Sequence, residues 1–313
     1  MHVFITGASG WIGSAAVDEF LSAGYDVTGL ARSDSSAAAL EAKGATVLRG
    51  DLDDLDSLRA GAEAAEATIH LANKHDWANP AESNRAERAA VHTMLDVLAG
   101  SDRPFLLASG VAGLAQGRPS NENDPSQHSG PDSMRGGTEN LALDYVDKGV
   151  KSISLRFSPT THGMGDHGFM ALIVAAARAQ GVSGYVGDGS QGWAAVHRTD
   201  AARMIRLGLE KAPAGSLLHA VGESSVSTKS IAGAIGAGHR RERCACAQRP
   251  PVRSTQPCAG AVLSPVRRRQ QVPAPACGQG PSSLPVPSAA WRSSARPSGN
   301  RIADPTSRGI AWG

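Results

Sequence analysis

Gly7, Gly10 and Gly13 are the residues whose type and spacing first suggest chemistry in this chain. They follow a short apolar run, Val3-Phe4-Ile5, and precede an Ala-rich helical pattern that begins at Trp11. A strand, a glycine turn and a helix start, in that order, make a phosphate-binding device. Gly7 permits the tight turn, Gly10 lets a pyrophosphate approach the backbone, and Gly13 lets the helix pack close to the strand. The helix start then offers unpaired N–H groups and a partial positive charge to the anion. The bland alternative is a glycine turn in some other α/β domain.

Further candidates lie at the ends of later strands. Arg32 and Ser33 follow the second strand, where an acid would hold the 2′-hydroxyl of NAD and a base would accommodate the 2′-phosphate of NADP. The pair therefore favours NADP over NAD. Asp34 is read as a helix N-cap, and Asp51, ending the third strand, as a contact for adenine. Ser109 ends the fifth strand, where a serine commonly just hydrogen-bonds the backbone. His75, His128, His162 and His167 are potential proton donors, with His162 the best placed, in the loop after the sixth strand. His162, Asp166 and His167 match no compact metal-ligand spacing, so no metal is expected.

The elements that must position these residues alternate. Strands are expected at 25–30, 45–49, 68–71, 105–108 and 152–157, separated by helices that include 80–99 and 134–148. The charged residues of the 80–99 helix read as a solvated face. Such alternation implies an α/β fold of the Rossmann type, a doubly wound parallel sheet with helices on both faces. Helices at 169–180, 201–211 and 228–235, with a strand at 217–221, would form a small and incomplete C-terminal substrate lobe. The expected division is a dinucleotide-binding domain over 1–160, to which 194–221 return, lobe elements over 161–237, and an irregular tail over 238–313.

Of the 313 residues, those after 238 hold all four cysteines, eleven of eighteen prolines and twelve arginines against two acidic residues, Glu242 and Asp304. The overall charge of +2 thus conceals a tail near +10 and a body near −8. The tail lacks Tyr, Phe and Lys and shows no periodicity, so it reads as disordered or as a shifted frame of a GC-rich gene. Nucleic-acid binding by this basic stretch is disfavoured by its scarcity of aromatic residues. No apolar run is long enough to span a membrane, and no signal peptide is evident, which leads to an expected cytoplasmic location.

The ordered features resemble the extended short-chain dehydrogenase/reductase superfamily, in its NAD-dependent epimerase/dehydratase branch, over about residues 1–237. The resemblance is carried by Thr6-Gly7-Ala8-Ser9-Gly10-Trp11-Ile12-Gly13, Gly50-Asp51-Leu52, Ile69-His70-Leu71-Ala72, Ser109, Leu155-Arg156 through His162-Gly163, and Val196-His197 through Asp200-Ala201. It implies an NAD(P) site formed by Gly7, Ser9, Gly10, Trp11, Ile12, Gly13, Arg32, Ser33, Asp51, Leu52, Leu71 and Ala72. It also implies carbonyl or alcohol redox chemistry on a small molecule and, by analogy, a homodimer formed through two helices per subunit. Members of the family use a Ser, a Tyr and a Lys four residues after the Tyr. Ser109 fits the first, but Pro131 falls at the Tyr position and Arg135 at the Lys position. Arg135 can still bind ribose or phosphate as a cation; proline has no proton to give. The catalytic candidates are therefore Ser109, Arg135 and His162, and the alternative is a non-catalytic NAD(P)-binding redox sensor.

Overall fold

The computed structural model describes residues 1–76 and 78–247, the last nine of these as backbone alone. The Arg/Pro-rich stretch beyond residue 247 and Trp77 lie outside the described residues, so the expected disorder or frame shift there is not addressed. Seven strands form the main sheet: β1 (His2–Thr6), β2 (Asp26–Ala31), β3 (Thr46–Arg49), β4 (Ala67–His70), β5 (Pro104–Gly110), β6 (Lys151–Phe157) and β9 (Leu217–Ala220). Their order is β3-β2-β1-β4-β5-β6-β9 and every pairing is parallel. The order reverses between β1 and β4, which opens a crevice at the strand C-termini, where sheets of this kind bind ligands.

Helices cover both faces, which is why β1 and β4 are buried along nearly their whole length. One apolar cluster joins the sheet to α1 (Trp11–Ser22), α2 (Asp34–Glu41) and α7 (Arg198–Lys211); it includes Val17, Phe20, Leu40, Ile205 and Leu209. The other joins it to α3 (Leu55–Ala64), α4 (Pro80–Leu98) and α5 (Thr138–Asp144) through Leu58, Met94, Leu95, Leu98 and Leu141.

A second sheet of order β10-β8-β7 comprises β7 (Thr160–His162), β8 (Gly192–His197) and β10 (Glu223–Ser227). Here β8 pairs parallel with β7 and antiparallel with β10. β7 and β10 are not evident in the sequence: one has three residues, and the other, Glu-Ser-Ser-Val-Ser, carries no apolar alternation. The helix α6 (Phe169–Gln180) has the expected bounds. Helix α8 (Thr228–Ala247) runs past the residue where the pattern of the chain is lost, through a stretch of Ala, Arg and Glu with good helix propensity. Among the described residues no helix is long and apolar enough to cross a membrane.

The expected 134–148 helix is corrected. Residues Met134–Gly137 form a tight turn in which Arg135, Gly136 and Gly137 all have positive φ, and the helix proper begins at Thr138. The cause is the approach of this turn to α4: a Cβ at Gly136 would lie 2.3 Å from the Asn84 carbonyl oxygen. Three side chains on one face of α4 hold the turn down. Asn84 Oδ1 accepts from the Arg135 N–H at 2.9 Å, Arg88 donates to the Gly136 carbonyl at 2.7 Å, and Glu87 pairs with the Arg135 side chain.

Candidate active site

The glycine turn has the geometry that pyrophosphate binding requires. Gly7 has φ +67°, and a Cβ there would lie 2.7 Å from the Ala72 backbone nitrogen. A Cβ at Gly13 would lie 2.0 Å from the Gly7 carbonyl oxygen, so only glycine permits this closeness of helix and strand. Gly10 caps α1, its N–H donating to Gly7 at 2.9 Å, while no side chain caps the helix and no acid occupies its first turn. Ser9 and Gly10 are exposed, and Trp11 and Ile12 are half-buried. The N-terminus of α1 thus has neither a side-chain cap nor an acid in its first turn, and these residues fit a dinucleotide.

At the adenosine end Arg32 is exposed and Ser33 is half-buried. Ser33, rather than Asp34, caps α2: its Oγ accepts from the Ser36 N–H at 3.2 Å. Asp34 is the first residue of the helix and pairs with Arg49 at 2.6 Å, a contact with no sequence signature. Asp51 is exposed at the end of β3, and its carboxylate accepts from the Asp53 and Asp54 N–H groups at 2.9 and 3.1 Å. The adjacent Leu52 is buried.

Leu71 and Ala72 follow β4 directly, and Ala72 forms the seat on which Gly7 rests. Beneath them lies a polar chain that the sequence does not reveal. Thr6 Oγ1 bonds His70 Nδ1 at 2.8 Å, and the Ala72 N–H donates to the same hydroxyl at 3.4 Å. The other ring nitrogen of His70 is 3.7 Å from Glu87 Oε1. Glu87 also accepts from Asn73 Nδ2 at 2.8 Å and forms a short ion pair with Arg135. Glu87 is only 1% exposed, so α4 does not present all its charged residues to solvent. Burial pushes the Glu87 carboxyl up, but the Arg135 charge and His70 outweigh it and hold the group down at about 2. His75, in the following loop, is shifted down by burial and by Arg135.

Ser109 and Arg135 come together. Both line a cavity of about 180 Å³ with Ser126, Gln127, His128, Thr138 and Glu139. Ser109 and Glu139 lie side by side in this lining. Glu139 is anchored in turn by the fully buried Arg156, which also donates to the Asp124 carbonyl at 2.8 Å, and by Ser154 at 2.9 Å. Burial pushes the Glu139 carboxyl up, yet Arg156, Ser109 and Ser154 bring it below its ordinary value. A buried, ion-paired carboxylate therefore lines the cavity beside Ser109.

His162 does not line this cavity. It ends β7, exposed, with its ring 5.7 Å from that of His197. His128 is the imidazole that shares the cavity with Ser109; it lies three residues before the exposed Pro131. None of the three tyrosines lines the cavity. Tyr145 is buried against α4, donates a short bond to Asp96, and is pushed up to about 12 by burial and by that carboxylate. Tyr25 bonds Glu210 at 3.1 Å on the opposite side of the sheet, and Tyr185 is half exposed beside α8. His167 packs edge-on against Trp11 at 5.1 Å. His197 caps α7 by accepting from the Thr199 N–H at 3.4 Å.

Comparison with known proteins agrees with this geometry. The profile of the NAD dependent epimerase/dehydratase family matches residues 3–219. An uncharacterised protein of Saccharomyces cerevisiae is 44% identical over 238 residues, 75% of this chain and 80% of that one. The fold is shared with the dTDP-glucose 4,6-dehydratase of Streptomyces venezuelae, solved with NAD, at 20% identity and a TM-score of 0.65, over 77% of this chain and 81% of that one. It is shared also with the UDP-glucose 4-epimerase of Thermus thermophilus, solved with NAD, at 19% identity and a TM-score of 0.61, over 76% and 83%. With the glycine turn, the sheet order and the matched span in agreement, this chain belongs to the NAD dependent epimerase/dehydratase family.

Proposed function

We propose that the protein is an NAD(P)-dependent oxidoreductase that acts on a small alcohol, carbonyl or sugar-like compound. The observation that carries this is the pairing of an open α1 N-terminus with a cavity at the end of β5 that holds Ser109, Arg135 and His128. The dinucleotide occupies the cradle of Gly7, Gly10 and Gly13, with Leu71 and Ala72 beneath it. When bound, its nicotinamide gives or takes a hydride. Ser109 hydrogen-bonds the substrate oxygen, with Glu139 beside it in the cavity. Arg135, oriented by Glu87, lends positive charge to that oxygen. His128 exchanges the proton, in place of the absent tyrosine. Residues 1–160, with the returning 194–221, form the cofactor half, and 161–237 the substrate half.

Arg32 and Ser33 favour NADP: Arg32 is exposed at the strand end and engages no carboxylate among the described residues, leaving its guanidinium available to a 2′-phosphate.

The test is fluorescence titration with NADPH and NADH, then turnover on aldehydes, ketones and nucleotide sugars. We expect binding of both cofactors with NADPH tighter, and Ser109→Ala to lower kcat about 100-fold without changing cofactor affinity. Failure to bind either dinucleotide overturns the reading. Binding with no turnover on any member of the panel turns it into the sensor.

A further inference from the structure

We infer that Arg198 is an additional cofactor-binding residue, one that brings a full positive charge from the start of α7 to the pyrophosphate; this rests on the dinucleotide site proposed above. Arg198 is the first residue of α7, directly after β8. Its guanidinium carbon lies 4.3 Å from the centre of the Trp11 ring, and Trp11 is the first residue of α1 after the Gly10 cap. The cation is therefore held over the phosphate turn by a residue of that turn.

The arrangement is built on both sides. The Trp11 ring is fixed by its Nε1–H, which donates to the Thr161 carbonyl at 2.8 Å, and by the edge of His167. The stem of Arg198 runs over Gly163, where a Cβ would lie 3.3 Å from Arg198 Cγ and 3.4 Å from Cδ. Among the described residues no carboxylate forms an ion pair with Arg198. Asp166, which with Trp11 flanks Gly168, accepts from the Gly168 N–H at 2.6 Å. Asp200, in the first turn of the same helix, is not bonded to it either.

A guanidinium stacked on an aromatic face keeps its N–H groups at the rim, in the plane, where they can donate to phosphate oxygens as a pair. The glycine turn itself offers only backbone N–H groups and the partial charge of a helix end. Two phosphate charges in that turn are only partly balanced without a formal cation, and Arg198 supplies it. The same contact ties cofactor occupancy to the segments around the second sheet, because Thr161 of β7, His167 and Arg198, directly after β8, all reach Trp11.

Isothermal titration of the full chain with NADPH, NADH, ADP-ribose and adenosine, at low and high salt, tests this. Arg198→Gln is expected to weaken NADPH, NADH and ADP-ribose alike by about tenfold, to leave adenosine unchanged, and to flatten the salt dependence of binding. Arg198→Lys is expected to keep that salt dependence with a smaller loss. Arg32→Gln should weaken NADPH and spare NADH. If the wild-type chain binds dinucleotide and Arg198→Gln binds it within twofold, the inference fails while the proposed function stands. A loss that extends equally to adenosine also overturns it, because the residue then only supports the fold. If the wild-type chain binds none of the dinucleotides, both readings fail together.

Discussion

Glu87 is a buried carboxylate with partners on three other segments: Asn73, His70 and Arg135. Its pKa is depressed from an ordinary 4.5 to about 2. A depressed acid contributes stability that is fully present above its unfolded value and is lost as the pH falls through the folded one. The size is on the order of 3 kcal/mol. Urea denaturation from pH 6 to pH 2 should show stability falling most steeply below about pH 4.5. Glu87→Gln should remove a large part of that fall; a mutant curve parallel to wild type would refute the assignment. Glu87→Ala should cost about 3–5 kcal/mol at neutral pH, because it strands a guanidinium. Gly13→Ala, which sets a Cβ 2.0 Å from a carbonyl oxygen, should cost about 3 kcal/mol or more and abolish cofactor binding.

At the scale of elements, the strands and helices of the main sheet were legible, because burial on both faces leaves continuous apolar runs and the helices between them are amphipathic. The cradle was legible for a local reason: Gly7, Gly10 and Gly13 are needed by contacts within a dozen residues and Ala72. The turn at Met134–Gly137 was not. What forces it is the close approach of Asn84, Glu87 and Arg88, some fifty residues upstream, and nothing local marks which charged residue of α4 turns inward. The gathering of Ser109 and His128 in one cavity was hidden for the same reason, while His162, close to the sixth strand in sequence, is carried off by β7. The packing of α5 on α4 also buries Tyr145 against Asp96. Tyr145→Phe should lower stability by about 1–2 kcal/mol in a denaturation experiment and leave kcat unchanged. A large drop in kcat at unchanged stability would show that its hydroxyl reaches the substrate after all.

At the scale of the molecule, α1 and α7 are a helix pair that joins segments nearly two hundred residues apart. Ala15, Ala16, Ala201, Ala202 and Ile205 share one apolar cluster, Arg206 pairs with Glu19 at 2.8 Å, and Tyr25 reaches Glu210. A chain ended at residue 197 would leave that face of α1 uncovered, and is expected to bind a hydrophobic dye and to sediment as aggregate far more than the full chain. An equally soluble, dye-silent fragment would show that α7 is dispensable to the core. The same packing has a meaning during biosynthesis. Helix α1 is complete by Ser22, but its partner ends at Lys211. At roughly 5–20 residues per second, the nascent chain carries an uncovered apolar helix for about 10–40 seconds. For that interval the glycine turn, made long before α7, hangs on a strand whose covering layer is still being written, and an apolar face of α1 stays open to other chains.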